Sequence, residues 1–375
     1  MYIHQYLLDD LEAYAQPGKA IIIYGPRRIG KTTLLSKFLD RKNNYLSVSG
    51  EDIDVQHYLS SQSIPKLGAF IGSKKLLVID EAQKIPNIGI NLKLLVDHFP
   101  ELTIIATGSS SFDLANQIGE PLTGRKKTLQ MFPLSQIEIA QIENAAQVRA
   151  NLSERLIYGS YPEVILINDN AKRIEYLREI VSSYLYKDIL ELDGIRKSEQ
   201  IIKLLQLLAF QLGKSVSPSE LGQQLGLNKG TVERYLDLLE KAFVIIKLSG
   251  FSRNLRKEIS KQNRYYFYDL GIRNAIINQF NGLQIRDDVG ELWENYIIIE
   301  RLKKQEYKKI FSNNYYWRTY DKQEIDWVEE RDGILYGYEI KWQLKKVREP
   351  SSWKNAYPKA TFMLINNENY LDFIT

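Results

Sequence analysis

An apolar strand, a glycine-containing loop and a helix start follow one another between residues 21 and 33. The letters there are IIIYGPRRIGKTT, and the spacing from Gly25 to Thr32 is G-x-x-x-x-G-K-T. Glycines let such a loop curl until its backbone N–H groups face a phosphate. A helix that begins near Lys31 points its positive N-terminal end at the same anion. The segment therefore predicts an α/β fold with a parallel sheet that binds a nucleoside triphosphate at one edge.

The residues of this loop have separate expected roles. Lys31 is expected to reach the β- and γ-phosphates of ATP, and the Thr32 hydroxyl is expected to bind Mg²⁺. Further contacts to the nucleotide are expected from the rest of the segment, which comprises Gly25, Pro26, Arg27, Arg28, Ile29, Gly30 and Thr33.

A second apolar run, LLVIDE at residues 76–81, ends in two carboxylates. A buried parallel strand delivers such acids to the carboxyl edge of its sheet. We expect Asp80 to hold Mg²⁺ or its water, and Glu81 to orient and deprotonate the attacking water. Ser109 and Ser110 follow a third strand. They are candidates to contact the γ-phosphate or the water, but equally they would serve as caps of the next helix.

Length and composition set the outer limits. A chain of 375 residues is long enough for roughly two or three domains. Its net charge of +4 is small, so contact with nucleic acid would depend on local basic clusters. The chain has no cysteine, which excludes disulfides and thiolate zinc sites. Without an apolar run of about 20 residues or a secretion signal, we expect a cytoplasmic protein that does not associate with membranes.

The middle of the chain has the pattern of a winged helix-turn-helix. Residues 198–213 predict one helix, and Ser217-Pro218-Ser219-Glu220 opens a second. A turn with Gly226 precedes a helix at 229–242, and VIIKLSGF follows as a strand and wing. Outward-facing residues of the third helix are candidates to meet DNA: Asn228, Lys229, Thr231 and Arg234. Basic residues between Lys247 and Arg264 favour DNA as well, although such domains also serve for packing or oligomerisation alone.

Four segments together resemble the AAA-type, STAND-related ATPases of bacteria and archaea: GPRRIGKT, LLVIDEAQ, TIIATGSSS and LTGRKKTLQMFPLSQIE. The resemblance implies a P-loop ATPase core at 1–150 and a helical lid at 151–197. It also implies that Gly124-Arg125 carries a sensor or finger arginine. If Arg125 acts on a neighbouring chain, the protein forms a homo-oligomer. The alternative for Arg125 is a solvated basic turn.

The same resemblance implies a winged helix at 198–252 and a domain similar to PD-(D/E)XK nucleases at 253–375. Its candidate residues are Glu294 in a helix, Asp326 in EIDWV, and Glu339 and Lys341 in YEIKW. The last two segments alternate as adjacent strands do, with Gly333 in the turn between them. Asp326 and Glu339 would share a second Mg²⁺ or Mn²⁺, Lys341 would steady the developing charge, and Glu294 would complete the cluster.

The sequence therefore predicts a Mg²⁺-dependent ATPase whose nucleotide state controls a C-terminal region that binds, and in one version cleaves, DNA. The alternative is a nucleotide-dependent switch or scaffold whose nuclease-like domain only binds.

Overall fold

The computed structural model describes residues 2–108, 122–185, 198–252, 262–319, 321–343 and 347–375. The chain divides into two compact units, Met1–Leu134 with Lys241–Phe243, and Ser135–Glu240 with Val244–Thr375. None of the described helices has the combination of length and apolar character that a bilayer crossing requires.

The first unit is built on a five-stranded parallel sheet in the order β2-β3-β4-β1-β5. Its elements in chain order are α1 (Leu7–Tyr14), β1 (Ala20–Tyr24), α2 (Lys31–Leu39), β2 (Tyr45–Ser49), α3 (Ile53–Leu59), α4 (Ile64–Ile71), β3 (Leu76–Asp80), a 3₁₀ turn (Ala82–Lys84), α5 (Ile88–His98), β4 (Thr103–Gly108) and β5 (Lys126–Gln130).

The central strands of this sheet are apolar on both faces. In β1, residues 20–23 are all at most 3% exposed, and β4 is buried throughout. Strands read as continuous apolar runs when helices cover both faces of a parallel sheet. The predicted sequence of strand, loop and helix at 21–33 is confirmed, because β1 ends at Tyr24 and α2 begins at Lys31.

The second unit begins with short helices and continues into a larger sheet. Its elements are α6 (Gln136–Ile139), α7 (Ala145–Ala150), α8 (Leu152–Tyr158), α9 (Pro162–Leu166), α10 (Asn170–Glu179), a π-helical segment (Ile180–Leu185), α11 (Ser198–Phe210), β6 (Ser215–Val216), α12 (Pro218–Leu225), α13 (Lys229–Lys241), β7 (Ile245–Gly250), β8 (Asn263–Phe267), α14 (Leu270–Ile276), a 3₁₀ turn (Leu283–Ile285), α15 (Val289–Tyr307), β9 (Asn313–Arg318), β10 (Glu324–Arg331), β11 (Ile334–Ile340), α16 (Ser351–Ala356), β12 (Thr361–Ile365) and α17 (Tyr370–Ile374).

The segment after Leu134 belongs to this second unit because it is bonded to α15. The Glu300 carboxylate accepts the backbone N–H of Gln136 (2.7 Å), and the Tyr296 hydroxyl donates to the Gln136 side chain (3.0 Å). The prediction from sequence had placed residues 135–150 in the ATPase core. The division into four domains stays a prediction.

Local sequence explains where the helices of the middle segment start and stop. Ser217 accepts the N–H of Glu220 (3.4 Å), and Pro218 takes the first turn of α12, where a missing N–H costs nothing. Gly226 ends that helix in a left-handed conformation, φ +65°. Predicted core positions of α13 are all buried: Val232, Tyr235, Leu236 and Leu239.

One mixed sheet of seven strands joins the middle and C-terminal segments in the order β12-β11-β10-β9-β7-β8-β6. β7 pairs with β8 antiparallel and with β9 parallel, through Ser249 and Gly250. The predicted pairing of EIDWV with YEIKW is confirmed, since β10 and β11 are antiparallel and turn at Gly333, φ +75°.

Candidate nucleotide site and acidic cleft

Two glycines shape the phosphate loop. A Cβ atom added to Gly25 would lie 2.2 Å from the Met131 carbonyl oxygen, which no side chain tolerates. Gly30 has φ +94° directly before α2, a backbone angle that glycine adopts at little cost. The glycine spacing read from the sequence thus corresponds to a close backbone approach at Gly25 and a left-handed turn at Gly30.

The Lys31 ammonium group is held by the loop itself. It donates to the carbonyl oxygens of Gly25 (3.0 Å) and Pro26 (2.7 Å), and Lys31 is 5% exposed. A cation kept at the start of a helix is placed to meet phosphate oxygens. The remaining predicted contact residues belong to the same loop and the first helical turn: Arg27, Arg28, Ile29, Gly30 and Thr33.

A hydrogen bond joins the loop to the acidic end of β3. The Thr32 hydroxyl donates to Asp80 Oδ2 at 2.7 Å. A hydroxyl and a carboxylate are oxygen ligands of the kind that Mg²⁺ takes in proteins, so the pair fits that ion. Bound Mg²⁺ would neutralise charge on the phosphates.

Glu81 lies directly after this strand in an unusual conformation. Its φ is +52°, in the left-handed region that favours glycine. The Gln83 side chain donates to Glu81 Oε2 at 2.5 Å, and the Glu81 N–H donates to the Thr107 hydroxyl at 3.2 Å. Backbone and carboxylate are therefore both fixed by neighbours.

Thr107 is a site residue that the sequence reading missed. It is fully buried near the end of β4, and its hydroxyl donates to Asp80 Oδ1. Because it also accepts the Glu81 N–H, it positions both acids. The available signal was a single hydroxyl inside the apolar run TIIATG. Ser109 and Ser110, the residues chosen instead, lie outside the described residues.

Arg125 lies at the opposite edge of the sheet from the phosphate loop. It precedes β5, whose first residue Lys126 pairs with Ala20 at the amino end of β1, and it forms an ion pair with Asp97. Five residues of strand, about 16 Å, separate that edge from the loop. A sensor role for Arg125, next to Gly124, in its own chain's site does not fit this position. Its role in a neighbouring chain stays a prediction.

The C-terminal candidate residues converge within the second unit. Lys341 Nζ is 3.2 Å from Asp326 Oδ2 and 2.7 Å from Glu339 Oε1. The backbone N–H of Ile340 also donates to Asp326 Oδ2, at 3.0 Å. Glu294 on α15 accepts the Tyr266 hydroxyl at 2.6 Å. The structure thus brings together all four residues chosen from the sequence.

Crowding of these carboxylates perturbs their protonation. Burial and then the nearby Asp326 carboxylate raise the pKa of Glu294 to about 8 and that of Glu339 to about 7. Burial opposes the charged form of Lys341, but Asp326 and Glu339 outweigh it and raise the pKa of that ammonium group. Burial and the close approach of the carboxylates therefore favour the protonated form of Glu294 and Glu339.

A cleft of about 610 Å³ opens onto this cluster. It is lined by residues from the middle segment as well as the C-terminal one, including Lys214, Ser215, Glu294, Asp326 and Lys341. We call it the acidic cleft. Both sets of residues stand on elements of the second unit.

The acidic cleft fits a metal ion in part. Glu339 Oε2 is buried without a hydrogen-bond partner, as a ligand oxygen would be. Within the described residues, however, no three acidic or histidine side chains are arranged to hold a metal. Mg²⁺ often takes only one or two carboxylates and keeps its waters, so Asp326 and Glu339 suffice in type and number.

The candidate DNA-contacting residues are at the surface. Asn228, Lys229 and Arg234 are exposed, and Thr231 is half-buried. Lys229 forms an exposed ion pair with Glu233 at 3.4 Å, and Asn228 accepts the N–H of Thr231 at 2.8 Å. Of the basic stretch, Lys247 is exposed, and residues 253–261 lie outside the described part of the chain.

Three segments of the chain match models of protein families. Residues 17–140 match the model of an AAA domain. The N-terminal part is therefore similar to AAA domains. Two further models match, a domain of unknown function (DUF8612) over residues 149–282 and another (DUF4143) over residues 289–371. The first of these two matches begins after the AAA-domain match, and the second includes the strands β9 to β12.

Two relatives match most of the length of the chain. An uncharacterized protein of Mycobacterium tuberculosis is 28% identical over 329 residues, which are 86% of this chain and 70% of the relative. One from Methanocaldococcus jannaschii is 25% identical over 370 residues, 92% of this chain and 80% of the relative.

Among solved structures, a STAND protein with a tetratricopeptide repeat sensor from Pyrococcus horikoshii is 13% identical. The match covers 81% of this chain but 46% of that one, with a TM-score of 0.30. A TM-score this low does not establish a shared fold, and nothing about function follows from it.

Proposed function

We propose that the protein binds ATP with Mg²⁺ and hydrolyses it at the phosphate loop. The observation that carries this proposal is the Thr32–Asp80 hydrogen bond of 2.7 Å, which joins the two magnesium ligands predicted from separate motifs. Lys31 supplies charge for the phosphates, and Glu81 is the general base that takes a proton from the attacking water. The AAA-domain match over residues 17–140 supports the same reaction.

Replacing Lys31 tests this proposal. Lys31→Ala should abolish ATP hydrolysis, measured as steady-state phosphate release, and weaken ATP binding. Lys37→Ala is the matched control, because Lys37 is an exposed lysine of the same helix that pairs with Asp40 at 2.9 Å. Hydrolysis by Lys31→Ala at the rate of the wild type would contradict the assignment.

We propose further that residues 198–252 form a winged helix that binds DNA, with β8 (Asn263–Phe267) pairing with its strands. Support comes from the order of elements, α11, β6, α12, α13, β7 and β8, with β6 and β7 both antiparallel to β8. Lys229 and Arg234 are exposed on α13, as a recognition helix requires. Polyanion contacts of this kind make affinity fall steeply with salt.

A metal-dependent nuclease is the second candidate function, and the acidic cleft favours it. The supporting order is α15, β9, β10, β11, α16 and β12, with Glu294, Asp326, Glu339 and Lys341 converging as the nuclease resemblance implies. A divalent ion there would polarise a phosphate and activate water. Lys341 would balance charge that develops on the phosphate.

DNA cleavage with Mg²⁺ or Mn²⁺ distinguishes this function from its alternative. Loss of cleavage in Asp326→Ala would support the nuclease. If the wild type cleaves no DNA with either metal, with or without ATP, the cleft serves binding only, and the protein is a nucleotide-dependent switch or scaffold.

Oligomerisation through Arg125 remains part of the proposal. Mixing Arg125→Ala with Lys31→Ala should restore ATP hydrolysis if each supplies what the other lacks across an interface. No restoration would place Arg125 outside the reaction. A cytoplasmic location likewise stays a prediction.

A further inference from the structure

Arg264 lies inside the acidic cleft, although the sequence placed it in a basic stretch facing DNA. It is 5% exposed, on β8. Its guanidinium is 2.9 Å from Glu324 Oε2, and 3.5 Å from both Asp326 Oδ1 and Glu294 Oε1. The ring of Tyr316 covers it at 4.6 Å. An arginine so enclosed does not contact a nucleic-acid phosphate in this arrangement.

We propose that Arg264 is a built-in cation of the acidic cleft, which holds the carboxylates together in the absence of metal and competes with a divalent ion for Asp326. This inference rests on the proposed metal-dependent role of the cleft. In this proposal Arg264 is a positioning residue, which touches neither the substrate nor the reacting atoms.

The first step of the argument is the division of Asp326 between two cations. Oδ2 is occupied by Lys341 Nζ (3.2 Å) and the Ile340 N–H (3.0 Å). Oδ1 faces only Arg264 among the contacts of Asp326 in the described residues, at the longest hydrogen-bonding distance, 3.5 Å. Oδ1 is therefore the oxygen that a divalent ion would take, and its present occupant is the guanidinium.

The second step is that the guanidinium has another place to bond. Its shortest contact, 2.9 Å, is to Glu324, whose side chain is 38% exposed. Glu324 lines the cleft, so it can retain Arg264 when a metal takes Asp326. Like charges repel strongly at such distances when water is partly excluded. Arg264 therefore weakens metal binding while it occupies its present position.

Titration of Mn²⁺ into the full-length protein by calorimetry tests this inference. Arg264→Gln should bind Mn²⁺ about tenfold or more tightly than the wild type, because one positive charge beside the ligands is gone. Arg318→Gln is the matched control: Arg318 lines the same cleft, 42% of its side chain is exposed, and it lies 3.8 Å from Glu324. That variant should change the affinity by less than about threefold, since the charge it loses is screened by solvent.

The possible outcomes distinguish the role of Arg264 from the proposed metal binding of the acidic cleft. If Asp326→Ala loses Mn²⁺ binding but Arg264→Gln binds no more tightly than the wild type, the role of Arg264 is wrong and the metal site stands. If the wild type binds no Mn²⁺, or if Asp326→Ala binds it unchanged, the metal site fails and this inference with it.

A measurement on the wild type covers the case in which Arg264→Gln does not fold. The Arg264 Nε–Hε resonance, assigned by its loss in Arg264→Lys, is followed by NMR during a titration with Mg²⁺. Displacement of the guanidinium requires that resonance to shift in step with Mg²⁺ binding. A resonance that stays in place at saturating Mg²⁺ would overturn the proposal.

Discussion

At the scale of single residues, Glu81 is constrained in both its backbone and its side chain. Its left-handed backbone, φ +52°, is held by the Thr107 hydroxyl, and its carboxylate by Gln83. A non-glycine residue held at such an angle costs about 1–3 kcal/mol and recurs at active sites. The constraint aims one carboxylate in one direction, which suits a general base.

We predict that Glu81→Gln retains ATP binding and loses hydrolysis. The amide keeps the shape of the side chain but cannot take a proton, so phosphate release should fall about 10²–10⁴-fold. Binding of a fluorescent ATP analogue should stay within threefold of the wild type. Glu101→Gln, which removes an exposed acid from the same unit, serves as the control. Full activity in Glu81→Gln would remove Glu81 from the reaction.

Residue positions were predictable from sequence where a strand ends in polar residues. Asp80 and Glu81 follow an apolar run, so the edge of the sheet determines where they lie. Thr107 and Arg264 were not predictable in the same way. Thr107 is one hydroxyl in a buried strand, and Arg264 follows basic residues that suggest a solvated surface. Their roles depend on contacts with Asp80 and with Glu324, which are distant in sequence.

At the scale of elements, α13 carries the prediction about DNA. Lys229→Glu together with Arg234→Glu should weaken DNA binding and flatten its dependence on salt, with log K against log[salt] losing about one to two units of slope. Fluorescence anisotropy at several salt concentrations measures both.

A matched control exists for this helix. Lys203→Glu changes an exposed lysine on α11 that pairs with Glu199 (2.6 Å), much as Lys229 pairs with Glu233. It should leave DNA affinity within about twofold. Equal loss of affinity in both variants would mean a general charge effect and no recognition helix.

The strand β10 contains a buried ion pair that ties it to α15. Arg301 donates to both oxygens of Glu329 (2.6 and 2.9 Å), and Trp327 Nε1 donates to Oε1 (2.9 Å). Burial would raise the pKa of Glu329, but the hydrogen bonds and charge of Arg301 outweigh it and lower that pKa. A carboxylate whose pKa is lowered on folding stabilises the protein above its unfolded pKa.

We therefore predict a pH-dependent loss in Glu329→Gln. At pH 7 the substitution leaves Arg301 buried without its anion and should cost about 3–5 kcal/mol of unfolding free energy. The difference from the wild type should begin to shrink as the pH falls below about 4.5, where Glu329 takes up a proton in the unfolded chain, and it should be gone below the lowered pKa of the folded protein. Urea unfolding at pH 7 and pH 4 measures it. Glu330→Gln, at the next residue, which is half-buried, is the control and should cost far less unfolding free energy at pH 7.

Elements were predictable in type and order, because periodicity and caps are local. The strand β1, the helix α2, the capped start of α12 and the antiparallel β10–β11 pair all follow from their own residues. The joining of β7 to β9 was not predictable. It depends on Ser249 and Gly250 meeting Tyr315 and Tyr316 across more than sixty residues, and no short pattern encodes that register.

At the scale of the whole molecule, the prediction concerns control by nucleotide. If ATP hydrolysis governs the DNA-binding region, then ATP and ADP should give DNA affinities that differ about 5–150-fold, the usual range of a coupling energy. Lys31→Ala should bind DNA with one affinity whichever nucleotide is added. Fluorescence anisotropy measures the DNA affinity with ATP and with ADP, and Lys37→Ala serves as the control variant. Identical affinities in the wild type would leave the two regions uncoupled.

The continuous seven-stranded sheet has a consequence for how any cut would be placed. Strands β8 and β10 belong to one hydrogen-bonded sheet, which connects the segment of the proposed recognition helix to the acidic cleft. We expect this connection to fix the distance along the DNA between the position that is bound and the position that is cut. If α13 binds DNA and the acidic cleft cleaves it, the scissile position would lie a constant number of base pairs from the bound sequence. The ends of the cleaved DNA, mapped by sequencing, would then all fall at one position.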